Sequence, residues 1–442
     1  MNNMNIRFLG KIGLFSCLCM PGILMPAYSQ DQDVLNLSLI EAQQHAIEYN
    51  WQVKNARLDV EGADKRIWES VATGLPQIDA TMDYTNFMGA DIIFRFDESL
   101  PPTTIPFKPT SNMVFSVNQL IFSGNYIVGL QAAKIYKLLT ERNYEKSEID
   151  IKEQVTTSYY LVLVSERTLG IIQQNLTNMR KTYENTKAMA RVGIAENTDA
   201  DQLEVSVTML ENAVRSAERQ IELYYNMLRF QLGLDINSNI RLKETLDETL
   251  EKVIIRAVLD EPFNIENNID FRIISTQVDL NDKQLDLEFM NYLPYINSFY
   301  NYQEKILKPN FDMQPKNMIG FTMNVPIFSS GMRRARVAQA RINLEKVENT
   351  KSLVEEQLLL QEKQFRFNLR NSLERYESQK KNVEVARRVL NSFTLKFQQG
   401  IVTSLDLTVA NDNYLQAENN LITATMELLR ADLDLEILLN IL

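Results

Sequence analysis

Apolar residues return at every seventh position along two long stretches of the chain: Val162, Leu169, Leu176, Tyr183 and Ala190 in the first, and Leu369, Tyr376, Val383, Leu390 and Phe397 in the second. A seven-residue apolar repeat marks helices that wrap around one another with a left-handed twist. The spacing predicts helices over 125–191 and 332–399, about 67 residues each and roughly 100 Å long at 1.5 Å per residue. Shorter helices of the same period follow over 199–232 (Val207, Val214, Ile221, Leu228) and 405–440 (Tyr414, Leu421, Leu428, Leu435). Each member of the second series stands 207 positions after one of the first, so the chain reads as a duplicated unit with an internal two-fold repeat.

The turn inside each predicted hairpin is duplicated too. Arg191–Glu204 reads RVGIAENTDADQLE, and Phe397–Ala410 answers it with Gly400 in the place of Gly193. These glycines supply the positive φ that ends a helix, and Asn197 and Ser404 are the expected side-chain N-caps of the next one. Asp199 and Asp406 then fall in a first turn, where the helix dipole favours a carboxylate.

Elsewhere the apolar period drops to two. Ile78, Ala80, Met82 and Tyr84 alternate with Asp79, Thr81, Asp83 and Thr85, which predicts a strand with one apolar and one polar face. A loop with Pro101, Pro102, Pro106 and Pro109 leads to a second alternating run, Met113–Leu120, giving a β-hairpin over about 78–122. The second half holds another hairpin over about 295–328. There a strand Tyr295–Tyr302 precedes a run in which Ile319, Phe321, Met323 and Val325 alternate with Gly320, Thr322 and Asn324. Phe321 is expected to face lipid and Thr322 the opposite side. One further helix belongs to each half, Leu39–Ala72, opened by the capping-box pair Ser38 and Glu41, and roughly Phe263–Asn291. The first unit thus spans 30–232 and the second 263–442, with 233–262 between them as a linker or equatorial segment lacking clear periodicity.

Four strands of about ten residues suit a transmembrane β-sheet, but they cannot close a barrel, and open sheet edges are not tolerated in lipid. The chain is therefore expected to oligomerise about an axis normal to a membrane, with eight strands from two copies or twelve from three. The fold class is an α+β membrane protein.

Composition changes this picture mainly by exclusion. Residues 1–29 carry Arg7 and Lys11, an apolar run Ile12–Met25 and Ala27-Tyr28-Ser29, the pattern of a secretory signal peptide; lipidation at Cys17 is the alternative. Both cysteines lie in that segment, so the mature chain is expected to have no thiol chemistry. The single histidine, His45, has no evident partners for a metal or catalytic site. With 46 basic and 57 acidic residues the net charge is −11, and loss of the leader makes it more negative, against nucleic acid as a partner. No cofactor site and no enzyme motif stand out.

The segments LSLIEAQQHAIEYN, GLPQIDATMDYT, VNQLIFSGNYIVGLQAAK, RVGIAENTDADQLEV, FQLGLD, NVPIFSSGMRRARVAQAR and FQQGIVTSLDLTVANDNYLQAENNL, in this order, resemble the TolC family of outer-membrane efflux proteins from about Leu37 to Leu439. The resemblance implies a homotrimer with a twelve-stranded outer-membrane β-barrel and a periplasmic α-barrel. It also implies a periplasmic adaptor and an inner-membrane transporter, of resistance-nodulation-division or ATP-driven type, as partners. Carried onto this sequence, the adaptor-contacting tips are Arg191, Val192, Gly193, Ile194 and Ala195, and Gly400, Ile401, Val402 and Thr403. Asp406 and Asp199 match the region where acids form a periplasmic constriction, although both acids also suit plain helix capping. Phe397, Val402 and Val409 depart from the polar patterns of some members. A structural coiled-coil protein that bridges membranes without transport is the competing reading, and the alternating strands at matched places argue against it.

Overall fold

The computed structural model describes residues 34–95, 101–255, 258–307 and 314–442; the leader lies outside the described residues. In chain order the elements are β1 (Leu35–Leu37), α1 (Leu39–Tyr49), α2 (Trp51–Ala72), β2 (Gln77–Thr85), β3 (Asp91–Phe94), β4 (Thr103–Pro106), β5 (Thr110–Phe122), α3 (Gly124–Arg191), α4 (Asn197–Gln231), β6 (Ile240–Leu242), α5 (Leu246–Ile255), α6 (Ile269–Met290), β7 (Tyr295–Leu307), β8 (Asn317–Asn324), α7 (Met332–Gln398) and α8 (Ser404–Leu439).

The seven-residue repeat does the work its spacing predicts. Val162, Tyr183, Leu369, Val383, Val207, Leu228, Leu428 and Leu435 are all buried, so the stripe lies between helices. α3 and α7 run unbroken for 68 and 67 residues, and each is flanked by two shorter helices placed one beyond the other. α2 packs on the sheet-proximal part of α3 and α4 on its turn-proximal part, while α6 and α8 lie between α3 and α7 in the same two positions.

The joint between two such short helices corrects the expectation of one helix over Leu39–Ala72, which breaks at Asn50. The Asn50 side chain is buried; its Oδ1 accepts from the Gln52 amide at 2.7 Å, capping α2, and its Nδ2 donates to the Gln231 carbonyl at the end of α4 at 2.8 Å. Asn268 repeats the device, accepting from the Asp270 amide at 3.0 Å and donating to the Leu438 carbonyl of α8 at 3.1 Å. One asparagine thus satisfies orphan groups on two helices, and the carbonyl end of one dipole meets the amide end of the next. The main apolar core surrounds these joints, with Val53, Tyr159, Leu228, Leu232, Leu428 and Leu435 fully buried.

The segment 233–262, expected to lack periodicity, contains β6 and α5. β6 pairs in parallel with β1, Leu35 opposite Ile240 and Leu37 opposite Leu242. Glu244 ties this belt to the helices, accepting from the Leu39 amide at 3.1 Å and the Tyr159 hydroxyl at 3.2 Å. Nearby, Lys243 and the Ser38 cap hold the Glu41 carboxyl down at about 2.

β2, β5, β7 and β8 form one antiparallel sheet in that order. Directly opposed residues share a face, so Ile78, Val117, Tyr300 and Ile319 form one row and Gln119, Ser298 and Phe321 another row of the same face. The other face carries Asp79, Ser116, Asn301 and Met318, then Asn297 and Thr322. The expected two-sidedness therefore survives pairing, and the apolar face is bare in the single chain, with Ile319 82% and Phe321 77% exposed. β7 extends beyond the expected Tyr302 to Leu307, and the proline-rich loop holds its own hairpin, β3 paired with β4.

Candidate functional site: the paired helix turns

At the end of α3 the Gly193 amide donates to the Ala190 carbonyl at 3.0 Å and the Ile194 amide to the Met189 carbonyl at 2.9 Å, around Gly193 at φ 75°. At the end of α7 the Gly400 amide donates to Phe397 and the Ile401 amide to Lys396, both at 2.9 Å, around Gly400 at φ 72°. Both are Schellman ends, in which a left-handed residue lets two amides satisfy the last carbonyls. The turns leave Val192, Ile194 and Ile401 64–76% exposed, an apolar tip on each hairpin. Arg191, Gly193, Gly400 and Thr403 are exposed as well, with Ala195 and Val402 half-buried.

The helices restart differently from the expectation. Neither Asn197 nor Ser404 is an N-cap. The cap of α8 is Thr403: its hydroxyl accepts from the Asp406 amide at 3.2 Å, and the Asp406 carboxylate accepts from the Thr403 amide at 3.0 Å and hydroxyl at 2.7 Å. Threonine followed three residues on by an acid is a capping-box pattern, and it moves the start of α8 one residue earlier than a reading that takes Ser404 as the cap. The Thr403 amide and hydroxyl hold the exposed Asp406 carboxyl below the ordinary aspartate range.

α4 starts after Glu196, which makes no side-chain cap. Asp199, at the same third position, is therefore not held by its own helix. It accepts at 2.5 Å from the hydroxyl of Ser404, which is 2% exposed and also lies 3.1 Å from Gln202 Oε1. The structure thus makes Ser404 a link between hairpins, a role absent from the sequence reading because it joins residues 205 apart. Beneath it Leu203, Val207 and Leu407 pack with Met179 and Tyr183, a second apolar cluster separate from that of the joints. Asp406 faces solvent, and its carboxylate bonds run to the amide and hydroxyl of Thr403.

Among the described residues no group of His, Cys, Asp or Glu side chains is arranged to hold a metal, and no helix is long and apolar enough to cross a membrane.

Comparison with known proteins gives this geometry a setting. No curated protein matches by sequence. Among solved structures the chain is similar to the outer membrane protein VceC of Vibrio cholerae, at 16% identity and a TM-score of 0.72, over 91% of this chain and 95% of that one. It is likewise similar to the outer membrane channel CmeC of Campylobacter jejuni (14%, TM-score 0.72, 91% and 85% covered). The open state of the MtrE outer membrane channel of Neisseria gonorrhoeae is a third such structure (15%, TM-score 0.71, 91% and 88%). These identities speak for the fold; the family itself follows from the match of residues 42–234 and 265–440 to the outer membrane efflux protein model. The chain belongs to the outer membrane efflux protein family, and its place is the outer membrane.

Proposed function

We propose that three copies of this chain close a twelve-stranded barrel in the outer membrane and prolong it as a helical tunnel in the periplasm, forming a passive exit duct. The observation that carries this is the four-stranded sheet, apolar on one face and largely polar on the other, whose outer strands β2 and β8 each lack a partner on one side among the described residues. Strand direction alternates along the sheet, so β8 of one copy and β2 of the next meet antiparallel and the ring closes without an edge. The number three rests on the family resemblance. The matched Schellman turns at Gly193 and Gly400, 207 residues apart, support descent of the two halves from one duplicated unit.

In this reading the energy for export comes from an inner-membrane transporter reached through a periplasmic adaptor, which meets the exposed tips around Val192, Ile194 and Ile401. Asp406, ionised and exposed, contributes three carboxylates around the narrow end of the duct, and Asp199 stands behind it.

Native mass spectrometry in detergent tests the assembly. The wild-type chain is expected as a trimer, and so is Thr322→Arg, whose side chain enters the polar face. Phe321→Arg places a charge on the lipid face at a cost of about 2–4 kcal/mol per chain and is expected to lose the trimer. A stable folded monomer for the wild type, or equal assembly of both variants, overturns the proposal.

A further inference from the structure

Below the belt formed by β1, β6 and α5, the chain encloses a cleft of about 740 Å³. α3 and α7 form its walls, Tyr414 and the buried Glu418 of α8 lie between them, and the strap Leu242–Asp247 closes one end. The volume lies within the range of small-molecule sites, which combine apolar surface with a few placed polar groups.

The polar groups here offer donors. Asn175 is 5% exposed, and its Nδ2 is buried without a hydrogen-bond partner, a state that costs stability unless something accepts from it. Arg387 gives Nη2 to Glu418 at 3.1 Å, and its side chain is otherwise 57% exposed. Arg167 stands 3.9 Å from Asp247, too far for a hydrogen bond, with its side chain 51% exposed. Two of the neighbouring carboxylates are already engaged, Glu166 by the Tyr225 hydroxyl at 2.7 Å and Glu244 by Lys252. Arginine forks match a carboxylate, and side-chain amides match peptide groups. Asp247, exposed beside Arg167, disfavours a doubly charged phosphate and suits a free amino group, while Leu163, Ile171 and Leu390 take apolar side chains.

We infer that this cleft is a binding site for a short peptide with a free C-terminal carboxylate, which Arg167 receives while Asn175 donates to a backbone carbonyl. The inference does not depend on the trimer or on export.

Isothermal titration of the detergent-solubilised full chain with Ala-Ala-Ala tests it. One peptide is expected per chain, with affinity falling about tenfold for the C-terminal amide and about tenfold in Arg167→Gln. Asn175→Leu is expected to weaken binding several-fold, and Arg180→Gln, on the same helix but paired with Glu211 and outside the cleft lining, to leave it unchanged. Arg167 lies at an exposed position, so its variant stays informative if Asn175→Leu fails to fold. No saturable binding, or binding unchanged in both cleft variants, overturns the inference. Displacement by inorganic phosphate at the same concentration as the peptide also overturns it, since the site would then select only charge.

Discussion

The two helical hairpins of this chain are built to one plan and part at the residue that opens the second helix. Both end their first helix on a left-handed glycine, and both carry an aspartate at the third position of the second helix. In the second hairpin the cap is Thr403, so Asp406 is bound into its own turn; in the first the equivalent residue is Glu196, which cannot cap, and Asp199 reaches across to Ser404. The same acid is a local cap in one place and a bond between hairpins in the other. What an aspartate does here is decided three residues upstream.

An ion pair higher in each hairpin repeats the lesson with burial as the variable. Arg180 pairs with Glu211 and Arg387 with Glu418, 31 residues apart in both cases, but the Glu211 side chain is 34% exposed and that of Glu418 only 5%. An exposed pair contributes little, whereas removing one partner of a buried charge leaves the other without solvent or counterion.

This difference should give the largest effect. Arg387→Ala is expected to destabilise by about 3 kcal/mol and Arg180→Ala by under about 1 kcal/mol, read as denaturant midpoints of the solubilised protein. Equal shifts would mean that Glu418 keeps its stability through Tyr414 instead.

The glycines come next. An added Cβ at Gly233, φ 70°, would stand 2.6 Å from the Tyr49 carbonyl oxygen at the α4–α2 joint, whereas at Gly193, φ 75°, it meets nothing within 4 Å. Gly233→Ala is expected to cost about 2–3 kcal/mol and Gly193→Ala about 1 kcal/mol, the left-handed strain without the collision. The joint in the second half already uses Asn440 at φ 57° in that role.

At the turns, Ser404→Ala should cost about 1 kcal/mol by removing the buried donor to Asp199. Glu196→Thr should bring the first turn to the pattern of the second: amide exchange at Asp199 slows as its own cap forms, and exchange around Ser404 speeds up. Unchanged exchange at both sites would mean that the cap residue does not decide the role of Asp199.

The smallest effect concerns Asp406 and pH. Its carboxyl is held below the ordinary range by the Thr403 amide first and the Thr403 hydroxyl second, so its contribution is present above the unfolded-state value and lost as pH falls through the lower folded value. Wild-type stability should therefore decline more on acidification below the ordinary aspartate range than that of Asp406→Asn. Parallel acid curves for the two would show that the cap bonds are not formed in solution.

Much of the architecture was legible in the residue order because it is written in local periods. The seven-residue stripe through Val162 and Leu369, the alternation through Ile78 and Ile319, and the helix-ending Gly193 and Gly400 each report a geometry that repeats within a few residues. Family membership followed from the same segments in order. The capping box was also legible, since Thr403 and Asp406 stand three apart, although a reading that begins the helix after Ser404 misses it.

Only the tertiary structure decided the rest. Asn50 reads as a helical residue until the end of α4 arrives at its side chain, 181 residues later in the chain, and Asn268 is tied to Leu438 in the same way. β1 and β6 are three residues each, too short to show a period, and pair across 205 positions. Ser404 becomes a link, and Asn175 a buried amide above a cleft, only when a second hairpin packs beside the first. Periodicity records how a segment meets any apolar neighbour; which polar group lies opposite is set by the packing of distant segments, and that information is absent from either segment taken alone.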